Sequence, residues 1–373
     1  MMRILLVEPR WPTRRKSKNH NGFLPIGLLK LASYHRKKGA EVALAKGPDT
    51  PLGFVPDRIL VTSLFTYWAE PVREVVQHYK ALFPSARVTV GGIYASLMPE
   101  HCKSFTGCDE VFVGVHSAAE KLRPAYDLVE TDLQIIHASR GCLRHCSFCG
   151  TWLLEPDFVP KRTIKKEIVK SRVLFYDNNF LANPHIDIIL DELTAARVDG
   201  KPVRCESQSG LDGRILLKRP ELAVNLKRAR FEYPRIAWDG PFHERGLIEE
   251  QILILRAAGF REKDTYVFMV YNWDLPFEEM ERKRLQCAEW GVQVADCRFR
   301  PLDQISDRYK PGAPGAVSQS RDEYYIHPKW SDLQVRQFRR NVREQNITIR
   351  LGRAYSRETE QWGRRRARGN ETR

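Results

Sequence analysis

The segment Arg140-Gly141-Cys142-Leu143-Arg144-His145-Cys146-Ser147-Phe148-Cys149-Gly150 decides how the rest of this chain is interpreted. Its three cysteines are separated by three and then two residues, in the pattern C-x3-C-x2-C. Three thiolates on one short loop can bind three corners of a cubane iron–sulfur cluster, whereas a fully ligated cluster takes four cysteines. One iron is then left for a ligand that is not protein. The spacing therefore indicates a centre for chemistry rather than for electron storage alone.

The same cysteines admit a second interpretation, which is a zinc site with His145 or a distant residue as the fourth ligand. Zinc sites more often combine a C-x2-C pair with a second cysteine pair, and the sequence contains no second pair. The spacing favours the iron–sulfur cluster, and the identity of the bound metal separates the two interpretations.

The segment resembles the cluster-binding signature of the radical S-adenosylmethionine superfamily, including the aromatic Phe148 just before the last cysteine. The resemblance implies that Cys142, Cys146 and Cys149 hold a [4Fe–4S] cluster and that S-adenosylmethionine chelates its open iron. It further implies reductive cleavage of S-adenosylmethionine, with a reductant such as flavodoxin or ferredoxin. Radical chemistry or cobalamin-assisted methylation would follow on a small-molecule or macromolecular substrate that the sequence does not identify.

Composition and charge predict a cytoplasmic, soluble protein of about two domains and a tail. The chain has 373 residues, 42% of them hydrophobic, and a formal net charge of +15, which favours an anionic partner, substrate or surface. Its eight cysteines are too scattered outside the segment above to suggest a disulfide framework. No apolar run is long enough for a signal peptide or a membrane span, so we expect no membrane association.

Residues 1–127 alternate short apolar runs with helical patterns, which predicts a doubly wound parallel sheet. The pattern over 70–83 predicts an amphipathic helix, with Val72, Val75, Val76, Tyr79 and Leu82 at helical spacing. The domain resembles the cobalamin-binding-like Rossmann domain that precedes the radical domain in many members of the superfamily. The stretches that carry this resemblance are 24–28, 63–68 and 90–100.

The pair Gly91 and Gly92 ends one predicted strand of this domain. Because glycine lacks Cβ, the pair lets the nucleotide tail of a ligand approach the backbone, although a tight strand-to-helix turn would also require it. The motif Asp-x-His-x-x-Gly, which would supply a lower axial histidine to cobalt, is absent from the sequence. Cobalamin binding and loss of the cofactor therefore both stay open.

Residues 131–305 contain six further strand patterns, and the first leads directly into the cysteine segment. The resemblance implies a partial (β/α)6 radical S-adenosylmethionine barrel, in which sites form at the carboxyl ends of the strands. The predicted strands lie within 134–139, 172–176, 203–210, 235–240, 265–272 and 293–302.

Polar residues at three of these strands are predicted to contact S-adenosylmethionine. By the resemblance, the turn after the second strand lies beside its amino group, and an aspartate after the fourth contacts its ribose hydroxyls. A helix N-cap and a structural turn are the alternative interpretations. Two side chains of the third strand share one face. The end of the fifth strand lacks the glycine-rich pattern of many members, which leaves the adenine contacts open. The predicted cofactor-binding residues are Phe148, Asp177, Asn178, Asn179, Glu206, Gln208 and Asp239, with Gly91 and Gly92 in the first domain.

Residues 306–373 are predicted to form a short basic C-terminal extension. A helix is expected from Ser331 or Asp332 onward, with Leu333, Phe338 and Val342 as its narrow apolar stripe. The arginine run at 364–368 can neutralise phosphates, but a solvated tail explains it as well. A non-catalytic metal-binding protein that docks to nucleic acid through this tail is therefore the alternative function, and a radical enzyme that modifies RNA is another.

Overall fold

The chain is a mixed α/β protein with parallel sheets. A computed structural model describes residues 1–12, 24–49, 53–311 and 317–352. The described residues group into two compact units. The first unit contains 1–135, 145–157 and 301–307, and the second contains 136–144, 158–300 and the described residues after 307. The predicted domain limits 1–127, 131–305 and 306–373 stay a prediction, and the arginine run lies outside the described residues.

The strands alternate with helices along most of the chain. In chain order they are β1 Arg3–Glu8, β2 Glu41–Lys46, β3 Arg58–Ser63, β4 Arg87–Gly92, β5 Glu110–Phe112, β6 Leu133–Ile136, β7 Ser139–Arg140, β8 Val159–Pro160, β9 Arg172–Phe175, β10 Arg197–Val198, β11 Lys201–Pro202, β12 Arg204–Ser207, β13 Arg235–Ala237, β14 Tyr266–Tyr271 and β15 Gln293–Arg298.

The helices vary from one turn to five turns. They are α1 Ile26–Lys37, α2 Ala69–Leu82, α3 Ile93–Leu97, α4 Pro99–Thr106, α5 Ser117–Glu120, α6 Thr151–Leu154, α7 Ile186–Ala195, α8 Gly213–Lys218, α9 Glu221–Arg228, α10 Arg245–Ala257, α11 Phe277–Glu289 and α12 Asp332–Arg350, with 3-10 turns at Tyr126–Leu128, Lys165–Glu167, Phe180–Ala182, Phe242–Glu244 and Glu262–Asp264. None of those helices is both long enough and apolar enough to span a membrane.

The first unit contains a five-stranded parallel sheet in the order β2-β1-β3-β4-β5. The order reverses between β1 and β3, so the carboxyl ends of these two strands flank the point where connections leave toward opposite sides. The strand predictions for β1, β3, β4 and β5 are confirmed. The edge strand β2 was not predicted, because its charged ends and four-residue apolar centre give a weak signal.

Helix α2 packs its apolar stripe against this sheet as expected, with one difference. Val72, Val75, Val76 and Tyr79 are buried, and the Tyr79 hydroxyl donates to the Gly47 carbonyl at 3.0 Å. The prediction for Leu82 is wrong, because this side chain at the last turn of the helix is 48% exposed.

The second unit contains five of the six strands of the predicted radical domain, and the first of the six, β6, lies mostly within the residues of the first unit. One sheet has the order β12-β9-β6, and another has the order β13-β14-β15. Two isolated parallel bridges connect these sheets. Cys205 of β12 pairs with Phe231, which precedes β13, and Leu211, which follows β12, pairs with Ile236 of β13. The order along the two sheets is therefore β6, β9, β12, β13, β14 and β15.

Alternation along these strands separates a core side from a polar side. The side chains on the core side pack among the helices of the unit and include Val173, Phe175, Cys205, Ile236, Val267 and Met269. The opposite side carries half-buried residues, among them Tyr176, Glu206, Arg235, Tyr266 and Phe268. Parallel strands with helices on one side and polar groups on the other position a site rather than a second core.

Helix α12 is part of the core of the second unit and not a peripheral extension. Val335, Phe338, Val342 and Ile349 are buried on one face, whereas Leu333 is 72% exposed, so the predicted stripe is wrong at that position. The predicted cap is confirmed, because Ser331 Oγ accepts from the Gln334 amide at 3.2 Å and Gln334 reciprocates in a capping box.

Candidate functional site

The cysteine loop carries three half-buried cysteines that form no disulfide. Cys142 belongs to the second compact unit, and the loop passes into the first unit before Cys146 and Cys149. Phe148 is half-buried. The Cys149 amide donates to the Cys146 carbonyl at 3.0 Å, which forms a tight turn between these two ligand candidates.

Two sulfur atoms of the loop have hydrogen-bond partners of their own. The Arg144 amide donates to Cys142 Sγ, with the two atoms 3.3 Å apart. The Cys149 thiol donates to Thr151 Oγ1 at 3.2 Å, and the hydroxyl can donate in return when the sulfur is a thiolate. Hydrogen bonds to ligand sulfurs are among the features that set the potential of an iron–sulfur cluster.

The chemistry of this donor set suits an iron–sulfur cluster or zinc, since both prefer thiolates. Within the described residues, no group of three or more histidine, cysteine, aspartate or glutamate side chains is arranged to hold a metal ion. The fit therefore rests on three cysteines in one short loop that form no disulfide, and on the hydrogen-bonding groups beside the sulfurs of Cys142 and Cys149.

Asp177, at the end of β9, holds the backbone just before the cysteine loop. Its carboxylate accepts from the Ala138 amide at 3.1 Å and from both the amide and the hydroxyl of Ser139. Its side chain is fully buried, and burial raises its pKa to about 6 while the hydrogen bonds from Ser139 and Ala138 act against that rise. These partners use both carboxylate oxygens, so Asp177 has a clear positioning role.

The two asparagines that follow Asp177 differ in exposure. Asn178 is exposed. Asn179 is only 5% exposed, and its Nδ2 donates to Asp212 Oδ2 at 3.2 Å. In the part of the chain that the structure describes, no group donates to Asn179 Oδ1, which is itself buried. A buried acceptor of this kind suits a ligand that carries N–H groups.

Asp212, which the sequence analysis did not select, lies at the centre of this region. It is the N-cap of α8. Its Oδ2 accepts from Arg144 Nε at 3.0 Å and forms an ion pair with Arg144 Nη2 at the same distance. Burial acts to raise its pKa, but the hydrogen bond from Arg144 and the charge of Arg214 together lower it. The available sequence signal was an aspartate directly before a helical pattern.

Glu206 and Gln208 lie together on one face of β12 as predicted. Gln208 Nε2 donates to Glu206 Oε1 at 2.8 Å, and Arg235 at the start of β13 forms an ion pair with the same oxygen. Arg235 also donates to the Ser207 carbonyl at 2.9 Å. Burial, followed by the charge of Glu206, raises the pKa of the nearby Tyr176 to about 12.

Asp239 follows β13 and is exposed, in a turn that a buried lysine supports. Lys283 of α11 donates from Nζ to the carbonyls of Trp238 and Gly240, at 2.7 and 2.9 Å. Desolvation raises the pKa of Asp239, while the charges of Lys283 and Arg214 oppose that rise. Burial lowers the pKa of Lys283 to about 8.

The stability contributed by Lys283 should rise with pH. Its pKa in the fold, about 8, lies below its ordinary value near 10.4, so between these values the unfolded chain binds the additional proton. This contribution is complete above about pH 10.4 and is lost as the pH falls through 8. We expect the free energy of unfolding of the wild type, minus that of Lys283→Met, to grow by up to ~1.4 kcal/mol per pH unit in this window.

Urea unfolding of both proteins at pH 7.5 and 9.5 measures this difference. Lys329→Met is the matched control for the loss of one lysine, because Lys329 pairs with Asp274 on the surface. A pH-independent difference for Lys283→Met would contradict the assignment.

Gly91 and Gly92 form a close turn between β4 and α3 in the first unit. Gly92 has a φ of 104°, and a Cβ on it would lie 2.2 Å from the Ser63 carbonyl oxygen. A Cβ on Gly91 would meet Phe112 at an ordinary distance of 3.6 Å. The glycine at position 92 is therefore required by the fold itself, and its predicted contact with a ligand stays a prediction.

The sequence analysis also missed an aromatic cluster at the carboxyl ends of β1 and β3, formed by Trp11, Phe65, Tyr67 and Trp68. Trp11 stacks on Trp68 with ring centroids 5.5 Å apart, and Phe65 stacks on Tyr67 at 5.0 Å. Trp11 Nε1 donates to Glu8 Oε1 at 3.3 Å, and burial raises the pKa of that carboxyl. All four rings are partly exposed at the point where the strand order reverses.

Comparison with known proteins identifies no relative of this chain: no family model matches it, and no curated protein is significantly similar to it.

Proposed function

We propose that this protein is a radical S-adenosylmethionine enzyme. The observation that carries the proposal is the C-x3-C-x2-C loop, whose three cysteines form no disulfide, that follows the first of six strands arranged in chain order. That order supports a partial (β/α)6 barrel, and the order β2-β1-β3-β4-β5 supports a Rossmann-like, doubly wound first domain. Reduced thiols and an iron–sulfur cluster suit the cytoplasm.

Cys142, Cys146 and Cys149 would hold the [4Fe–4S] cluster. When bound and reduced, the cluster would supply the electron that cleaves S-adenosylmethionine to methionine and a 5′-deoxyadenosyl radical. The hydrogen bonds to Cys142 Sγ and at Cys149 Sγ would stabilise the thiolate forms of these ligands. A reductant such as flavodoxin or ferredoxin would be the partner.

The predicted cofactor contacts have different roles in this proposal. Asn179 Oδ1 would accept from the ammonium group of S-adenosylmethionine, since it is a buried acceptor that no described group satisfies. Asp239 would accept from ribose hydroxyls, and its exposed carboxylate follows a strand end as such a contact requires. Glu206 would present a carboxylate and Gln208 an amide. Arg235 holds the Glu206 carboxylate in place through an ion pair, and Gln208 donates a hydrogen bond to the same oxygen.

A second ligand would bind at the carboxyl edge of the five-stranded sheet, where open α/β sheets bind ligands at the point of strand reversal. The aromatic cluster supplies faces for a large ring system. Cobalamin is the ligand that the resemblance implies, without a cobalt-ligating histidine from an Asp-x-His-x-x-Gly motif. The absorption spectrum of protein loaded with cobalamin tests this part independently.

The function is tested by formation of 5′-deoxyadenosine. Anaerobically reconstituted protein, given S-adenosylmethionine and dithionite, should form this product, which chromatography with mass detection quantifies. No product from protein shown to hold about four irons, with and without candidate substrates, would overturn the proposal.

A further inference from the structure

We propose that Asp212 is a positioning residue that fixes the cysteine loop through Arg144 and thereby tunes the cluster. This inference rests on the proposed function, because it concerns the loop that would bind the cluster. Neither residue is a metal ligand. Their role would be to determine where the Cys142 sulfur and one positive charge lie.

Arg144 of the cysteine loop forms an ion pair with Asp212. Arg144 lies between Cys142 and Cys146. Its Nε donates to Asp212 Oδ2 at 3.0 Å, and its Nη2 lies 3.0 Å from the same oxygen in an ion pair. The Asp212 side chain is 7% exposed, whereas that of Arg144 is 40% exposed. A forked guanidinium on one buried carboxylate oxygen restricts the loop more than an exposed ion pair would.

The two carboxylate oxygens of Asp212 have different hydrogen-bond partners. Asp212 Oδ1 accepts from the amide and Nε of Arg214, each at 3.2 Å, which caps α8. Asp212 Oδ2 accepts from Arg144 and from Asn179 Nδ2. Helix capping needs only the first oxygen, so the second is available to hold the loop and the asparagine after β9.

The backbone of Arg144 also contacts the sulfur of Cys142, one of the three proposed cluster ligands. The Arg144 amide donates to Cys142 Sγ at 3.3 Å. Fixing the Arg144 side chain therefore also fixes the backbone N–H that faces this sulfur. Mutation of residues that hydrogen-bond to metal ligands and orient them typically lowers metal affinity or activity by about 10- to 100-fold.

The charges of the pair give opposite expectations for the cluster potential. Arg144→Gln removes a positive charge beside the loop, so reduction should become harder and the midpoint potential lower. Asp212→Asn removes a negative charge and should raise that potential. The double variant Arg144→Gln/Asp212→Asn restores the local charge balance, so its potential should return toward the wild-type value. A merely structural role would not produce opposite signs.

The experiment uses the reconstituted full chain and three readouts: iron and sulfide content, the rate of iron loss to a chelator, and the potential from a titration followed by electron paramagnetic resonance. We expect both single variants to lose iron about tenfold faster than the wild type. Arg214→Gln is the matched control, because Arg214 contacts the other oxygen of the same carboxylate. Asp187→Asn controls for loss of an exposed ion pair in the same unit. Both should keep the wild-type iron content and release iron at the wild-type rate.

The outcomes separate the two proposals. A wild type that binds no iron–sulfur cluster would overturn the proposed function. A wild type that binds one, with unchanged iron release and potential in both single variants, would overturn only the role of Asp212. Because Asp212→Asn also weakens a helix cap, Arg144→Gln, which leaves the Arg214 contacts in place, keeps the test valid if the first variant is unstable.

Discussion

Replacing Cys146 with alanine is expected to abolish 5′-deoxyadenosine formation. Cys146 is the middle of the three thiols, and a cubane held by two cysteines would be left with a second iron without a protein ligand. Iron content after reconstitution should fall together with activity. The measurement compares product formed per chain, and iron bound per chain, in the wild type and the variant under identical anaerobic conditions.

Cys297→Ala is the matched control for this prediction. Cys297 is an exposed free cysteine outside the loop, on β15, so its removal tests for non-specific thiol effects. It should keep the wild-type iron content and product yield. Equal loss in both variants, or full activity in Cys146→Ala, would refute a specific role for the loop.

Replacing Glu281 with alanine should produce the largest loss of stability. A buried hydrogen-bond network connects α11 and α12, and it is formed by Glu281, Arg284, Asn341 and Gln345. Arg284 is fully buried and donates to both oxygens of Glu281, at 2.9 and 2.7 Å, and to Gln345 Oε1 at 2.8 Å. Removing one partner of a buried ion pair leaves an uncompensated charge and costs about 3–5 kcal/mol.

Thermal unfolding measures this effect, and we expect a melting temperature lower by roughly 10 °C. Glu289→Ala is the matched control on the same helix, because Glu289 only accepts from Gln286 at the surface. The double variant Glu281→Leu/Arg284→Met removes both charges and should recover most of the lost stability. A melting temperature unchanged in Glu281→Ala would contradict the claim that the network between α11 and α12 stabilises the fold.

The strands of the core were predictable because burial on both faces produces continuous apolar runs. The run at Arg3–Glu8 has this form and is a strand. The apolar run at Tyr266–Tyr271 is also a strand, although only every second side chain in it is buried. The strand Glu41–Lys46 was missed because an edge strand needs few apolar residues. Helix α12 was underestimated for a related reason: two of its six buried residues are Asn341 and Gln345, whose partners on α11 cannot be read from the local sequence.

The candidate site was predictable only where one short segment carries it. The cysteine pattern is local, so the sequence suffices to propose its ligands. Asp212 was missed because it is 68 positions from Arg144 in the chain, and only the fold pairs them. The same holds for Lys283, which supports the turn beside Asp239 from 45 positions beyond Trp238. Sequence patterns predict donors on one element, while pairs between elements require the structure.

The most direct test of the central claim is the metal and sulfide content of the full-length wild type after anaerobic reconstitution with iron, sulfide and zinc together. The account predicts about four irons and about four sulfides per chain. It also predicts that the reduced protein gives an electron paramagnetic resonance signal that changes when S-adenosylmethionine is added. One tightly bound zinc per chain without sulfide would contradict it and would favour the non-catalytic metal-binding alternative.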